Sequence, residues 1–325
     1  MNTTIGIDIR QEVLNADVRI RPYVAETPVE HSIYLSNLIE GTVHLKLDLQ
    51  QKTGSFKYRG ATNKVMSLSE EELDRGVISA STGNHALAIG AAMKNIGREA
   101  TIYLAEDVPQ GRVDLIRSFG LNLVIYGKEA GFAESKARQV AEEEGKVYIS
   151  PYNDYTVMAG QGTCGLEISR QVPDVDSVII SCGGGGLIGA SAGYLKSFNS
   201  DLEVIGVCPE NSPNMPESIK AGKIIKMDPL PTLADTCAGN LEDNSVTFEV
   251  CKKYVDRYDV LTEKEIADAM RLIFEEHRMV VEGSAAMGVA HLVKRKEDYK
   301  GKCVVIVICG KNIAADTYRS VICKK

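Results

Sequence analysis

Short apolar runs recur along the chain with helical patterns between them, and this alternation limits the fold more than any other feature. The runs are VHLKL (43–47), GVISA (76–80), ATIYLA (100–105), NLVIYG (122–127), KVYIS (146–150), SVIIS (177–181), EVIGV (203–207) and KCVVIVIC (302–309). Each has the length of a buried strand. Helical patterns include HALAIGAAMKNIG (85–97), EKEIADAMRLIFEEHR (263–278) and PQGRVDLIRSFG (109–120), the last with proline at its start and glycine past its end. A strand that returns through a helix pairs in parallel with the next strand. The expected fold is therefore α/β, with open, largely parallel sheets flanked by helices. At 325 residues the chain has length for two domains. No repeat, low-complexity tract or Pro/Gly linker marks a boundary between them.

Charge narrows the partner. With 37 basic and 44 acidic residues the net charge is -7, and no long basic stretch is present. Nucleic acid and anionic membrane are poor partners for such a surface, so a small molecule is expected. The start MNTTIGIDIR is polar, and no stretch approaches the roughly 20 apolar residues that span a bilayer. A cytoplasmic protein is expected. Cysteines 164, 182, 208, 237, 251, 303, 309 and 323 show neither a C-x-x-C pair nor a Cys/His zinc spacing, and read as reduced core thiols.

Four segments carry chemistry. In TGSFKYRG (53–60) Lys57 stands between Phe56 and Tyr58. One reading makes it an ordinary charge at a loop-to-helix junction, with Phe56 in the core and Arg59 outside. The other holds Lys57 out of water, which lowers its pKa and frees a nucleophilic amine able to form an imine. In SASTGNHALA (79–88), Ser81, Thr82, Asn84 and His85 crowd polar groups around Gly83 at a helix start. Free N–H groups and the helix dipole favour a carboxylate there; the alternative is N-capping by Ser81 or Thr82. In SCGGGGLIGA (181–190) four glycines lie between a strand and a helix. Backbone without side chains wraps a phosphate closely. Residues 184–189 also satisfy G-x-G-x-x-G, and Glu210 follows the next strand as a ribose-binding acid would, so a dinucleotide is the rival. In VIVICGKNIAAD (305–316), Cys309 is either a small buried hydrophobe or a hydrogen-bonding partner for a ring nitrogen.

An imine-forming lysine, a phosphate cradle, a carboxylate loop and a group for a heterocyclic nitrogen together suit pyridoxal phosphate and an amino acid. At this point the chain resembles the fold type II pyridoxal-phosphate enzymes, specifically the threonine/serine dehydratase and serine racemase group. The likeness runs through RIRPYVAETPVEHS (19–32), LKLDLQQKTGSFKYRGA (45–61), SASTGNHA, AGQGT (159–163) and PTLADT (231–236). Cysteine synthases share the fold, but their loops typically read Thr-Ser-Gly-Asn-Thr and carry threonines at the phosphate.

The resemblance implies residue roles. Lys57 would be the Schiff-base lysine, Phe56 would pack on the cofactor, Asn84 would bond the ring hydroxyl, and Gly183, Gly184, Gly185 and Gly186 would hold the phosphate. Cys309 stands where many relatives have a serine facing the ring nitrogen. Ser81, Thr82 and His85 would surround the substrate carboxylate, and Tyr152 would lie near its side chain. It also implies a small domain, 49–149, inserted between residues 1–48 and 150–325 of a larger one, with the site in the cleft. The implied reaction is β-elimination of an L-β-hydroxy amino acid such as threonine or serine to a 2-oxo acid and ammonia. In it the freed Lys57 amine removes the α-proton. The assembly implied is a homodimer or larger homo-oligomer.

Departures shape the alternatives. Thr82 sits where racemases place a serine base and many threonine dehydratases an alanine, which keeps a serine racemase as one alternative. A non-catalytic pyridoxal-phosphate carrier or sensor is another, against which the carboxylate loop argues. Tyr152 replaces a phenylalanine or asparagine, and Lys311 interrupts the usual Gly-Gly-Asn, which suggests a substrate other than plain threonine. Glu210 matches a metal-binding glutamate of the racemases. Pro216 stands where their second carboxylate lies, so at most half of a divalent-cation site is implied. The ending VICKK leaves no room for the regulatory domain of biosynthetic threonine dehydratases, so isoleucine feedback is not expected.

Overall fold

A computed structural model describes residues 6–323 except 107, 109, 129 and 229. Among the described residues, strands β1 (Val29–His31), β2 (Thr42–Lys46), β3 (Val77–Ala80), β4 (Ala100–Leu104), β5 (Asn122–Ile125), β6 (Val147–Tyr148), β7 (Ser177–Ser181), β8 (Glu203–Pro209), β9 (Arg257–Leu261) and β10 (Cys303–Val307) form two sheets. The larger has the order β1-β2-β10-β7-β8-β9 and the smaller β5-β4-β3-β6. All pairings are parallel except β1 with β2. Helices flank both sheets, as the alternation of patterns requires.

Register explains the apolar runs. Ile306 of β10 lies opposite Leu45 of β2 and Ile179 of β7, and Ile179 lies opposite Ile205 of β8. All four side chains are fully buried. A parallel strand covered by helices on both faces carries apolar residues on both faces rather than at alternate positions. The run SVIIS and β7 accordingly coincide. β1 and β9 fall outside the expected strands. Both are sheet edges; β1 is only three residues long, and β9 (RYDVL) is half-buried at most positions and carries two charges, so neither forms a continuous apolar run.

Helix ends follow their signals. Thr262 caps Glu263–His277 in a reciprocal box with Glu265, and Asp154 caps Tyr155–Gln171 by accepting from the Thr156 and Val157 N–H groups. The helix expected over 109–120 is described as Gln110–Ser118, with Gly120 at a φ of 78°; Pro109, its expected first residue, lies outside the described residues, as do Met1–Ile5 and the two final lysines. Tyr155–Gln171 packs closely on Gly186–Phe198, where a Cβ on Gly165 would stand 2.9 Å from Ser191 Cα. That contact seats the start of the second helix behind the four-glycine loop. No helix among the described residues is long and apolar enough to cross a membrane, and none of the eight cysteines is in a disulfide.

Candidate active site

The loops after β3, β7 and β10 leave the carboxyl ends of parallel strands, where α/β sheets collect ligands. Lys57 is brought to them by its own backbone. The Phe56 N–H donates to Cys309 O at 2.9 Å, the Lys311 N–H to Gly54 O at 2.9 Å, and the Asn312 side chain to Thr53 O at 2.8 Å. Gly54, at a φ of 77°, makes the turn that allows this stitch. Lys57 then opens the helix Lys57–Val65. Its Nζ donates to Pro151 O at 2.8 Å and lies 5.2 Å from the centre of the Phe56 ring. Burial lowers its pKa to about 8, against the opposing pull of Cys237, Cys309 and Glu282.

Arg59, expected outside on the ordinary reading, is fully buried. Its guanidinium donates to both oxygens of Asp48 (2.8 and 2.7 Å) and both of Glu167 (2.7 and 2.7 Å), and Lys46 Nζ reaches Glu167 at 2.6 Å. Arg21 also reaches Glu167, at 3.1 Å, so three cations surround two carboxylates beneath the helix that carries Lys57. A bidentate fork is what lets such charges stay out of water.

At the four-glycine loop, the N–H groups of Gly183, Gly184 and Gly185 donate no hydrogen bond among the described residues. Side chains are excluded from it. A Cβ would stand 2.7 Å from Cys237 Cα at Gly183, 2.5 Å from Tyr152 Cγ at Gly184, and 2.7 Å from Met215 Cε at Gly185, whose φ is 83°. Thr247 Oγ1 holds the loop by donating to Gly184 O at 2.6 Å. The Tyr152 ring covers Gly184 while its hydroxyl accepts from the Glu242 N–H at 3.0 Å.

The helix Asn84–Asn95 starts without a side-chain cap. Ser81 Oγ accepts only from the Gly83 N–H, at 3.3 Å, and the Thr82 and Asn84 N–H groups donate no hydrogen bond among the described residues. N-capping by Ser81 or Thr82 is thereby excluded. His85 turns inward. It is buried, with Nε2 3.2 Å from Ile149 O, and burial together with the Lys57 charge lowers its pKa to about 3. Asn84 is buried too, and here sequence reasoning missed its partners. Its amide donates to both oxygens of Glu282, at 3.1 and 3.0 Å, and its carbonyl oxygen accepts from Asn312 at 2.7 Å. Thr236 also donates to Glu282, at 3.2 Å. Burial pushes the Glu282 carboxyl up to about 7, the Asn84 bond opposing. The one available signal was an acid just before the small-residue run GSAAMGVA.

Phe56, Lys57, Asn84, Tyr152, Gly183–Gly186 and Cys309 line one pocket, together with Cys237 and Thr236. Thr82 lines the adjoining cleft. Glu210 is exposed after β8, and among the described residues no three His, Cys, Asp or Glu side chains cluster to hold a metal. Glu217 pairs with Lys220 at 2.6 Å on its own helix.

The chain matches the family described as pyridoxal-phosphate dependent enzyme over residues 20–310. It belongs to that family. The dinucleotide reading of the glycine loop falls with that match. Among its relatives, this pyridoxal-phosphate dependent enzyme is 42% identical over 303 residues to an L-threonine ammonia-lyase of Thermotoga maritima, covering 93% of this chain and 75% of the relative. The processed form of threonine deaminase isoform 2 from Solanum lycopersicum superposes with a TM-score of 0.91 at 32% identity, covering 96% of this chain and 92% of that one. Maize serine racemase superposes at 0.89 with 31% identity, covering 96% and 95%.

Proposed function

We propose that the protein is an ammonia-lyase that removes water from an L-β-hydroxy amino acid such as threonine or serine and releases a 2-oxo acid and ammonia. The observation that carries this reading is the Lys57 amine sharing one pocket with the unbonded N–H groups of Gly183–Gly185. The likeness to an L-threonine ammonia-lyase and a threonine deaminase supports it.

The residues fit pyridoxal phosphate. An amine of lowered pKa suits its aldehyde, and a backbone cradle that any Cβ would fill suits its phosphate. Bound there, the cofactor supplies an electron sink for the carbon that loses its α-proton. Lys57 Nζ takes that proton, with a pKa close enough to neutrality to accept and return it. Gly183–Gly186 would hold the cofactor's phosphate, helped by the N-terminus of Gly186–Phe198. Phe56 would pack against its ring, Asn84 would bond its hydroxyl, and Cys309 would stand by its nitrogen. Burial keeps the Cys309 thiol protonated, so it places no negative charge at that nitrogen. Such a neutral partner would suit β-elimination better than transamination. Ser81, Thr82 and the uncapped helix start bind the substrate carboxylate. Burial keeps His85 neutral, against Ile149 O, while Tyr152 walls the site.

A second reading, an amino-acid racemase, rests on Thr82, whose hydroxyl makes no hydrogen bond among the described residues and lines the cleft. The domain division at 49 and 149 is supported by the smaller sheet, whose strands all fall between those residues. Thiols without a disulfide support a cytoplasmic location. A homo-oligomer is supported by the adjoining exposed side chains Ile33 and Tyr34 and is tested by light scattering.

The deciding experiment reduces the loaded protein with borohydride and maps the modified peptide, then follows oxo acid and D-isomer from L-threonine and L-serine in parallel. The proposal expects label on Lys57 and oxo acid faster than D-isomer. Label on another lysine removes the central assignment. Faster D-isomer, lost in Thr82→Ala, makes the enzyme a racemase.

A further inference from the structure

A cleft of about 560 Å³ opens onto the site through Thr82, Asn84 and Thr236. Its charged lining is Arg112 and Lys311, with no Asp or Glu among the described residues that border it. In a chain of net charge -7 this runs against the average. Arg112 is half-buried on the helix Gln110–Ser118 and makes no hydrogen bond or salt bridge among the described residues. Asp235, Glu263 and Glu282 line a second cavity of about 430 Å³ that Arg112 also borders, and the Arg112 charge acts on Asp235 without a hydrogen bond between them. Lys311 is exposed, but its backbone is stitched to Gly54 in the Lys57 loop. The two cations are thus held by segments that flank Lys57 and Asn84.

We propose that the substrate carries a second anionic group on its β-carbon, a carboxylate, bound by Arg112 with Lys311 adding charge. This deepens the ammonia-lyase reading and rests on it. Neither the methyl group of threonine nor the hydrogen of serine offers hydrogen bonds to this half-buried guanidinium, which makes none among the described residues and has Asp235 only as a charge neighbour, whereas a carboxylate takes its fork with two parallel bonds. The substrate class is an L-3-hydroxy dicarboxylic amino acid of the 3-hydroxyaspartate type. The step balances without a further reactant. The α-hydrogen leaves as a proton, the Cβ–O bond breaks with its electron pair and departs as water, and the released enamine takes up one water and loses ammonia. One 3-hydroxyaspartate thus gives one oxaloacetate and one ammonia. O-Phosphoserine offers the same anionic chemistry from a phosphate ester.

The test uses the cofactor-loaded protein and its Arg112→Gln, Arg112→Lys and Lys311→Gln variants. Oxo-acid release is measured from L-threo-3-hydroxyaspartate, O-phospho-L-serine and L-threonine. Binding of L-aspartate and L-alanine, which lack a β-leaving group, is measured by calorimetry. The kcat/KM for hydroxyaspartate is expected to exceed that for threonine by about tenfold or more, with the ratio falling about tenfold in Arg112→Gln and less in Arg112→Lys. Aspartate is expected to bind tighter than alanine by a similar factor, lost in Arg112→Gln. A ratio that favours threonine, or one that neither charge-removing variant moves, overturns the proposal. Preference for O-phospho-L-serine with the same Arg112 dependence assigns the anion as phosphate and overturns the carboxylate. If no β-hydroxy amino acid is turned over, the ammonia-lyase reading fails, while Arg112-dependent binding of aspartate over alanine still upholds the anionic side chain.

Discussion

The side-chain nitrogen of Asn84 lies 3.1 and 3.0 Å from the two carboxylate oxygens of Glu282, tying the helix after β3 to the helix that begins at Gly283. Burial raises Glu282 from 4.5 to about 7. The folded protein therefore keeps a proton that the unfolded chain has already released between those two values. The Glu282 contribution to stability must fall as pH rises through that window, by about 3 kcal/mol once it is crossed, while buried His85, held at about 3, works in the opposite direction up to the ordinary histidine value of about 6.5. Glu282→Gln should remove this part of the slope. Urea denaturation of the cofactor-free protein at pH 5 and pH 8 checks it, and equal slopes for both proteins would refute it.

Lys57 titrates in the opposite sense, its pKa lowered by burial to about 8. Capture of pyridoxal phosphate by the apoprotein needs the neutral amine, so its rate should climb about tenfold per pH unit below that value and level off above it. Stopped-flow absorbance reads the profile. A rise that continues to about pH 10, the ordinary lysine value, would show that burial does not tune this amine. Lys57→Ala should form no covalent link.

The glycine cradle predicts a contrast between neighbours. At Gly184 the obstacle to a Cβ is the Tyr152 ring, whereas at Gly183 it is the backbone of Cys237. Both Gly→Ala changes should weaken cofactor affinity about tenfold or more, since an ill-seated phosphate loses several charge-assisted bonds. Adding Tyr152→Ala should recover affinity in Gly184→Ala and leave Gly183→Ala unimproved. Fluorescence titration of apoproteins with cofactor distinguishes the two; equal rescue would mean that the clash is not local.

Arg59→Met removes the cation that satisfies both Asp48 and Glu167, all three side chains being fully buried. Asp48 then loses its ion-pair partner, while Glu167 keeps Lys46 and the partly exposed Arg21. A loss of about 3–5 kcal/mol in unfolding free energy is expected, because uncompensated buried charge is costly. Arg59→Lys should lose less. Urea midpoints measure it, and an unmoved midpoint for Arg59→Met would show that the network contributes no stability.

Much of the fold was legible because inner parallel strands carry apolar residues on both faces and read as short continuous runs, so SVIIS and β7 coincide. The edge strands β1 and β9 were not, since a strand with one exposed face and charged residues does not differ locally from a loop. Motif-bearing loops announced Lys57, Asn84 and Gly183–Gly186, residues whose types are unusual where they stand. Nothing local marks Arg59 as buried, because a guanidinium is tolerated there only through Asp48 and Glu167, which lie 11 and 108 positions away.

By itself the sequence determined what short-range chemistry encodes: the strand and helix periods, the glycines that keep side chains out of one loop, and a lysine beside an aromatic ring. Tertiary structure alone decided which groups meet and how dry they are. It set Glu282 against Asn84 across 198 positions, turned His85 inward to Ile149 O, and left the N–H groups of two loops unbonded around one amine. Burial and electrostatic contact depend on groups distant in the chain. For that reason the pKa values of Lys57 and Glu282, and the cationic cleft at Arg112, exist only in the folded molecule.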